Sequence, residues 1–250
     1  MLKSGVVSVS FRELSAEEVI RITRKAGLSA IEWGSDVHAP KDKPERLRDI
    51  AKMQKAAGIE CSSYGTYFRL GSDSPVELLE YIGAARILGT DVLRLWCGDK
   101  NFEDMTGAER DFITEESKRA AAIAEREGVT LCVECHTNTF TSSPEGALLL
   151  MREVNSPAFR MYWQPGALTE HSANIEYATK ISPYTVNLHV FHCDGGVARP
   201  LEEGLSAWLE YLACFEGERY LLLEFMPDKN PESLIREAAS LQELIKYINK

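Results

Sequence analysis

Short apolar runs alternate with amphipathic stretches eight times along the chain. The apolar runs fall at 5–11, 30–35, 60–66, 91–97, 130–136, 159–164, 185–191 and 219–225. They are rich in Val, Ile, Leu, Tyr and Phe, the residues that fit a pleated, half-buried surface, and each is predicted as a strand. The stretches between them carry helix punctuation. Ser15 followed by Glu18 makes a capping box, and Gly27 closes that helix just after Arg24 and Lys25. Gly58 closes the second helix, and Ser74 with Pro75 opens the third. A long helical pattern follows from Thr106, and shorter ones from Ser143, from His171, read as a cap, and from Pro200. A last helix runs from Asn230, Pro231 and Glu232 to Lys250.

Strand–helix alternation implies parallel strands with helices outside them. Eight such units in 250 residues, with no Pro/Ser-rich linker, predict a single α/β domain over residues 1–250, a (β/α)8 TIM barrel. A doubly wound open sheet is the runner-up. It calls for a Gly-rich turn after the first strand, and VSVSFRELS has none.

Side chains alternate across a strand, so parity sorts each run into two faces. Cys132, Glu134 and His136 share one face of the fifth strand, with Leu131, Val133 and Cys135 on the other. Tyr162 pairs with Gln164, Leu222 with Glu224, Arg94 with Trp96, and Asn187 and His189 with Phe191. In the second strand Ala30, Glu32, Gly34 and Asp36 oppose Ile31 and Trp33. Each strand thus has an apolar face for the helices and an inward face that turns polar toward its C-terminal end, where such barrels build their sites. Glu134, Gln164, His189 and Glu224 end the last four strands. A carboxylate in that position is costly to bury unless it is paired or bound to a metal. Two carboxylates in one barrel need a cation or a proton to coexist.

Other residues have weaker claims. His192 has the wrong parity in a regular strand and reaches the site only through a strand end or bulge. His38 sits in the loop after the second strand. Arg69, and Arg199 after the CDGGVA loop, are candidates for binding a carboxylate or phosphate. Trp96, Tyr67 and Phe68 are candidate apolar walls.

The net charge of -10 argues against a phosphate backbone as partner, so no nucleic acid is expected. No apolar run is long enough to span a membrane and the N-terminal stretch has no signal-peptide core, so a cytoplasmic, membrane-free protein is expected. The cysteines, including the Cys132–Cys135 pair inside a strand, read as buried structural thiols. No nucleotide fingerprint is present.

The segments IEWGSDVH, YGTYFRLG, LRLWCG, LCVECH, MYWQPG, NLHVFH and LLLEF, in this order along the whole chain, resemble the xylose isomerase-like TIM barrels. These are the sugar isomerase/epimerase superfamily, with its ketose 3-epimerases, hydroxypyruvate isomerase-like and inosose dehydratase-like enzymes. The resemblance implies one divalent metal held by Glu134, Gln164, His189 and Glu224. Gln164 stands where an aspartate is usual, so it either lends an amide oxygen to the ion or binds substrate hydroxyls. This oxygen-rich set with one imidazole suits Mn²⁺, Mg²⁺ or Co²⁺, with Zn²⁺ an alternative. The implied activity is a sugar or sugar-phosphate isomerase or epimerase. Glu134 and Glu224 would act as catalytic proton carriers through an enediolate, and His38, Arg69, Trp96, His136, His192 and Arg199 as substrate contacts. The alternatives are a dehydratase or lyase on a cyclic polyol and a non-catalytic sugar-binding barrel. A DNA-repair nuclease of similar fold needs a cluster of zinc ions, and five histidines on an acidic chain argue against it. A homo-oligomer is expected by analogy with such families.

Overall fold

The computed structural model describes every residue except Lys229 and Lys250. Eight parallel strands close into a barrel: β1 (Leu2–Val7), β2 (Ala30–Gly34), β3 (Glu60–Leu70), β4 (Val92–Cys97), β5 (Thr130–Glu134), β6 (Phe159–Trp163), β7 (Thr185–Val190) and β10 (Arg219–Leu223). Each pairs with its sequence neighbour, and β10 closes on β1 through Leu2↔Arg219 to Val6↔Leu223. Between β7 and β10 lies a small antiparallel hairpin of β8 (His192–Asp194) and β9 (Val197–Arg199).

Among the described residues eight α-helices surround the barrel: α1 (Ala16–Lys25), α2 (Pro44–Ala57), α3 (Pro75–Leu88), α4 (Gly107–Glu127), α5 (Pro144–Val154), α6 (His171–Ile181), α7 (Leu205–Leu212) and α8 (Leu234–Ile248). Their punctuation is the one that the sequence carries. Ser15 and Glu18 form a complete capping box, Ser74 caps α3 ahead of Pro75, and Gly58 ends α2 with φ 69°. His171 differs from expectation: it is the first residue of α6 rather than its cap, and its ring meets Tyr211 and Glu210 of α7. The last helix stops at Ile248, and the expected end at Lys250 lies outside the described residues.

Strand ends also shift, for local reasons. The first strand spans 2–7 rather than 5–11, because the chain turns at Ser8, whose Oγ accepts the Gly34 amide. The third runs on to Leu70 across an irregularity between Gly65 and Arg69. The fifth stops at Glu134, whose carbonyl accepts the Thr141 hydroxyl at 2.6 Å. The turn of the hairpin is Gly195–Gly196, both at positive φ, the conformation of the two-residue turns that join tightly twisted strands.

Two cores result. Outward side chains such as Ile31, Trp33, Leu93, Leu131 and Val133 pack under the helices. The barrel's centre holds a smaller apolar plug of Val7, Val9, Cys132, Tyr162 and Leu222. All cysteines are free, and burial pushes the Cys132 and Cys135 thiols up, so neither is a ready thiolate. Among the described residues no helix is long and apolar enough to cross a membrane.

Candidate metal centre

Above the apolar plug the inward positions turn ionic. Glu32 comes from β2, Arg94 from β4, Glu134 from the last residue of β5, His189 from β7, and Glu224 from the residue after β10. His189 stands at the centre of the group. Its Nδ1 lies 3.3 Å from Glu134 Oε1, 3.3 Å from Glu224 Oε2 and 3.2 Å from Gln164 Oε1. Its Nε2 points the other way, 3.4 Å from Glu32 Oε1. Arg94 donates through Nε to Glu32 Oε1 at 2.9 Å and through Nη1 to Glu134 Oε2 at 2.8 Å. Trp96 Nε1 donates to the same Glu134 Oε2 at 2.6 Å. Oε2 of Glu134 is thus committed to two donors, and Oε1 faces the centre.

The group is deeply buried: Glu32 and His189 are 0% exposed, Glu134 3% and Glu224 5%. At such depth each charge must be answered by another. Burial pushes Glu32 up, but Arg94 and His189 override it and hold its carboxyl at about 2. Glu134 is likewise lifted by burial and drawn well down by Arg94 and His189. Burial lowers the His189 imidazole, and Glu224, Glu32 and Glu134 more than reverse that, raising it to about 10. Glu224 is raised, first by burial and then by Glu134 and Glu32, against the pull of His189 and Arg94.

This arrangement suits a divalent cation. Three carboxylates and one guanidinium leave two uncompensated negative charges when His189 is neutral, and one divalent ion cancels them. One donor atom from each of Glu134, His189 and Glu224 lies within 4.8 Å of the others. Among the described residues Glu224 Oε2 is buried with no hydrogen-bond partner, His189 Nδ1 approaching it at 3.3 Å without hydrogen-bond geometry, as suits a metal ligand. Gln164 donates its Nε2 to the Cys135 carbonyl at 3.1 Å, which turns its oxygen toward the same point.

A cavity of about 640 Å³ opens at the mouth and includes Gln164, His136, Val9, Phe191, Phe225 and Arg12 in its wall. His136 lies beyond the end of β5. Its Nδ1 meets the Thr137 carbonyl at 2.7 Å and its ring stands 5.3 Å from Trp96. Arg69 lies over the Trp96 ring and donates to the Gly98 carbonyl, and neither Arg69 nor Trp96 lines the mouth cavity.

Three other expected substrate contacts sit elsewhere. His38 is fully buried, with Nε2 3.0 Å from the Leu14 carbonyl and its ring against Trp33, because the loop folds back onto the turn before α1. His192 opens β8 and packs against Gly204 in a separate cavity between α6 and α7, since the chain leaves the barrel at Phe191. Arg199 is exposed on the hairpin, outside the wall of the mouth cavity. Conversely, Glu32 and Arg94 join the ionic group although neither stands among the expected site residues. The signal was their position: charged residues on the inward face of otherwise apolar strands.

Residues 20–249 match the family model described as xylose isomerase-like TIM barrel. No curated protein sequence matches the chain. Several solved structures share the fold across nearly their whole length. The probable 3-DHS dehydratase AsbF of Bacillus anthracis superposes with a TM-score of 0.79 at 16% identity, covering 97% of this chain and 99% of that one. A xylose isomerase-like TIM barrel protein of Mycobacterium smegmatis, solved with magnesium, gives 0.69 at 14% identity, covering 98% and 95%. D-psicose 3-epimerase of Clostridium cellulolyticum H10, solved with D-tagatose, gives 0.67 at 15% identity, covering 98% of each chain. At these identities the likeness is one of fold. The barrel's topology, the carboxylates at its mouth and the family match over 20–249 together make this chain a member of the xylose isomerase-like TIM barrel family.

Proposed function

We propose that the protein is a divalent-metal-dependent isomerase or epimerase of a sugar, sugar phosphate or related polyol, working by proton transfer next to a carbonyl. The observation that carries this reading is Glu224 Oε2, buried and without a donor, turned toward the same point as Glu134 Oε1 and His189 Nδ1. Glu134, His189 and Glu224 would hold the ion, with Gln164 Oε1 beside them. Bound there, Mn²⁺, Mg²⁺ or Co²⁺ supplies Lewis-acid stabilisation of negative charge on the substrate oxygens.

The residues divide the remaining work. Glu224 is the freer carboxylate, since none of its described neighbours donates to Oε2, and it takes the proton from the carbon next to the carbonyl. The electron pair left behind makes an enediolate. Glu224 then returns the proton it took, or Glu134, fixed by Arg94 and Trp96 and approaching from β5, passes on one that it first receives from a substrate hydroxyl. Return to the opposite face of the same carbon epimerises it; return to the neighbouring carbon interconverts aldose and ketose. The mouth cavity, with Phe191 and Phe225 on one side and His136 on another, receives the rest of the substrate and limits water.

Dehydration is the second reading, favoured by His136. It stands in the cavity as a third proton carrier, able to protonate a departing hydroxyl after the same first step. The full-length likeness to a probable dehydratase agrees with it. Incubation of Mn²⁺-loaded protein with ketoses, ketose phosphates and cyclic ketopolyols in D₂O separates the outcomes. Deuterium entering the carbon next to the carbonyl, without loss of water, supports isomerisation or epimerisation. A new ultraviolet-absorbing unsaturated carbonyl supports dehydration. Neither outcome across the panel would refute both.

A further inference from the structure

Of the buried Glu32–Arg94 pair, the chemistry above uses only the hold of Arg94 on Glu134 and gives Glu32 no part. Barrel interiors are ordinarily filled by branched apolar side chains, and a buried ion pair is no more stabilising than an apolar replacement. Two charges at this depth therefore call for another reason. The surroundings are fitted to them. Glu32 Oε1 accepts from Arg94 Nε at 2.9 Å and Oε2 accepts from Ser63 Oγ at 2.8 Å. Residue 65 is a glycine where a Cβ would come within 2.7 Å of Glu32 Oε1 and 2.8 Å of Arg94 Nη2. Glu32 then faces His189 Nε2, on the side of the ring away from Glu134 and Glu224.

We propose that Glu32 and Arg94 are positioning residues for the metal centre. Glu32 takes the Nε2–H of His189, which fixes the ring's orientation and leaves the Nδ1 lone pair turned to the point shared by Glu134, Glu224 and Gln164. A carboxylate behind a ligating histidine sets tautomer and orientation in this way. Arg94 ties the same Glu32 to Glu134 Oε2, so the two ligands from β5 and β7 are set by one buried bridge. The inference rests on the metal reading proposed above.

The test is a double-mutant cycle on Co²⁺ affinity by calorimetry, with the visible Co²⁺ spectrum as second readout. Glu32→Gln keeps the shape and is expected to weaken Co²⁺ binding by ~10–100-fold, the usual loss when such a partner is removed. In a His189→Ala background the same change is expected to cost several-fold less, because only the route through Arg94 to Glu134 is then left. Equal losses in both backgrounds, or no loss in either, would overturn the proposal. Should Glu32→Gln fail to fold, Glu32→Asp keeps the charge but withdraws it from Nε2. It is expected to bind Co²⁺ more weakly with shifted absorption bands, and a wild-type affinity and spectrum would overturn the proposal. A wild-type protein that binds no Co²⁺ defeats the metal reading itself; normal wild-type binding with an indifferent Glu32 defeats the positioning role alone.

Discussion

Metal binding should depend steeply on pH, and the slope follows from the position of His189. In the metal-free protein that ring lies among Glu224, Glu32 and Glu134, and its pKa is raised to about 10. It is therefore protonated at pH 6 and at pH 8, and an ion that needs its Nδ1 lone pair must displace a proton at both. The sign is fixed: protons compete with the metal, so affinity rises with pH. With the folded pKa at about 10, the neutral fraction grows tenfold per unit across this window. Affinity then rises ~100-fold from pH 6 to pH 8, or ~2.7 kcal/mol at ~1.36 kcal/mol per unit. A histidine at its ordinary pKa of ~6.5 would give only ~4-fold over the same range. Glu224, also raised, steepens the acid side further. Calorimetric titration with Mn²⁺ at both pH values, in two buffers of different ionisation enthalpy, reads affinity and released protons together. A change of ~4-fold or less, with no proton released at pH 8, would refute the ionic arrangement described for His189.

Arg94→Met removes the guanidinium shared by Glu32 and Glu134 and leaves buried carboxylates uncompensated, so the metal-free protein should lose ~3–5 kcal/mol in urea unfolding. A loss below ~1 kcal/mol would mean that the pair is not buried as described. Gly65→Ala drives a Cβ into Glu32 and Arg94 and should cost ~1–3 kcal/mol, with weaker Mn²⁺ binding by calorimetry. Ser15→Ala is the control. It breaks the capping box of α1 far from the site, should cost ~1 kcal/mol in urea unfolding, and should leave Mn²⁺ affinity unchanged.

The barrel was legible because each strand alternates in polarity and each helix carries its own stop or start, as Gly58 and Ser74 do. The convergence of Glu134, Gln164, His189 and Glu224 was legible because acidic and amide groups end strands that are otherwise apolar. Glu32 and Arg94 fell on the correct faces by parity, yet their pairing across β2 and β4 depends on Gly65 leaving room in the strand between them. No local pattern encodes that. His38 and His192 misled for another reason. Loop position suggests access to the mouth, but whether a loop folds back onto the turn before α1, or the chain leaves the barrel at Phe191, is decided by long-range packing. The hairpin was foreshadowed by the Gly195–Gly196 pair, a turn signal inside a segment read as plain loop.

Metal analysis of the purified protein beside a Glu134→Gln, Glu224→Gln double variant tests the central claim most directly. The expected result is about one divalent ion per chain in the wild-type protein after Mn²⁺ is supplied, and none in the variant. A wild-type protein that takes up no ion, or a variant that holds it as well as the wild type, would contradict it.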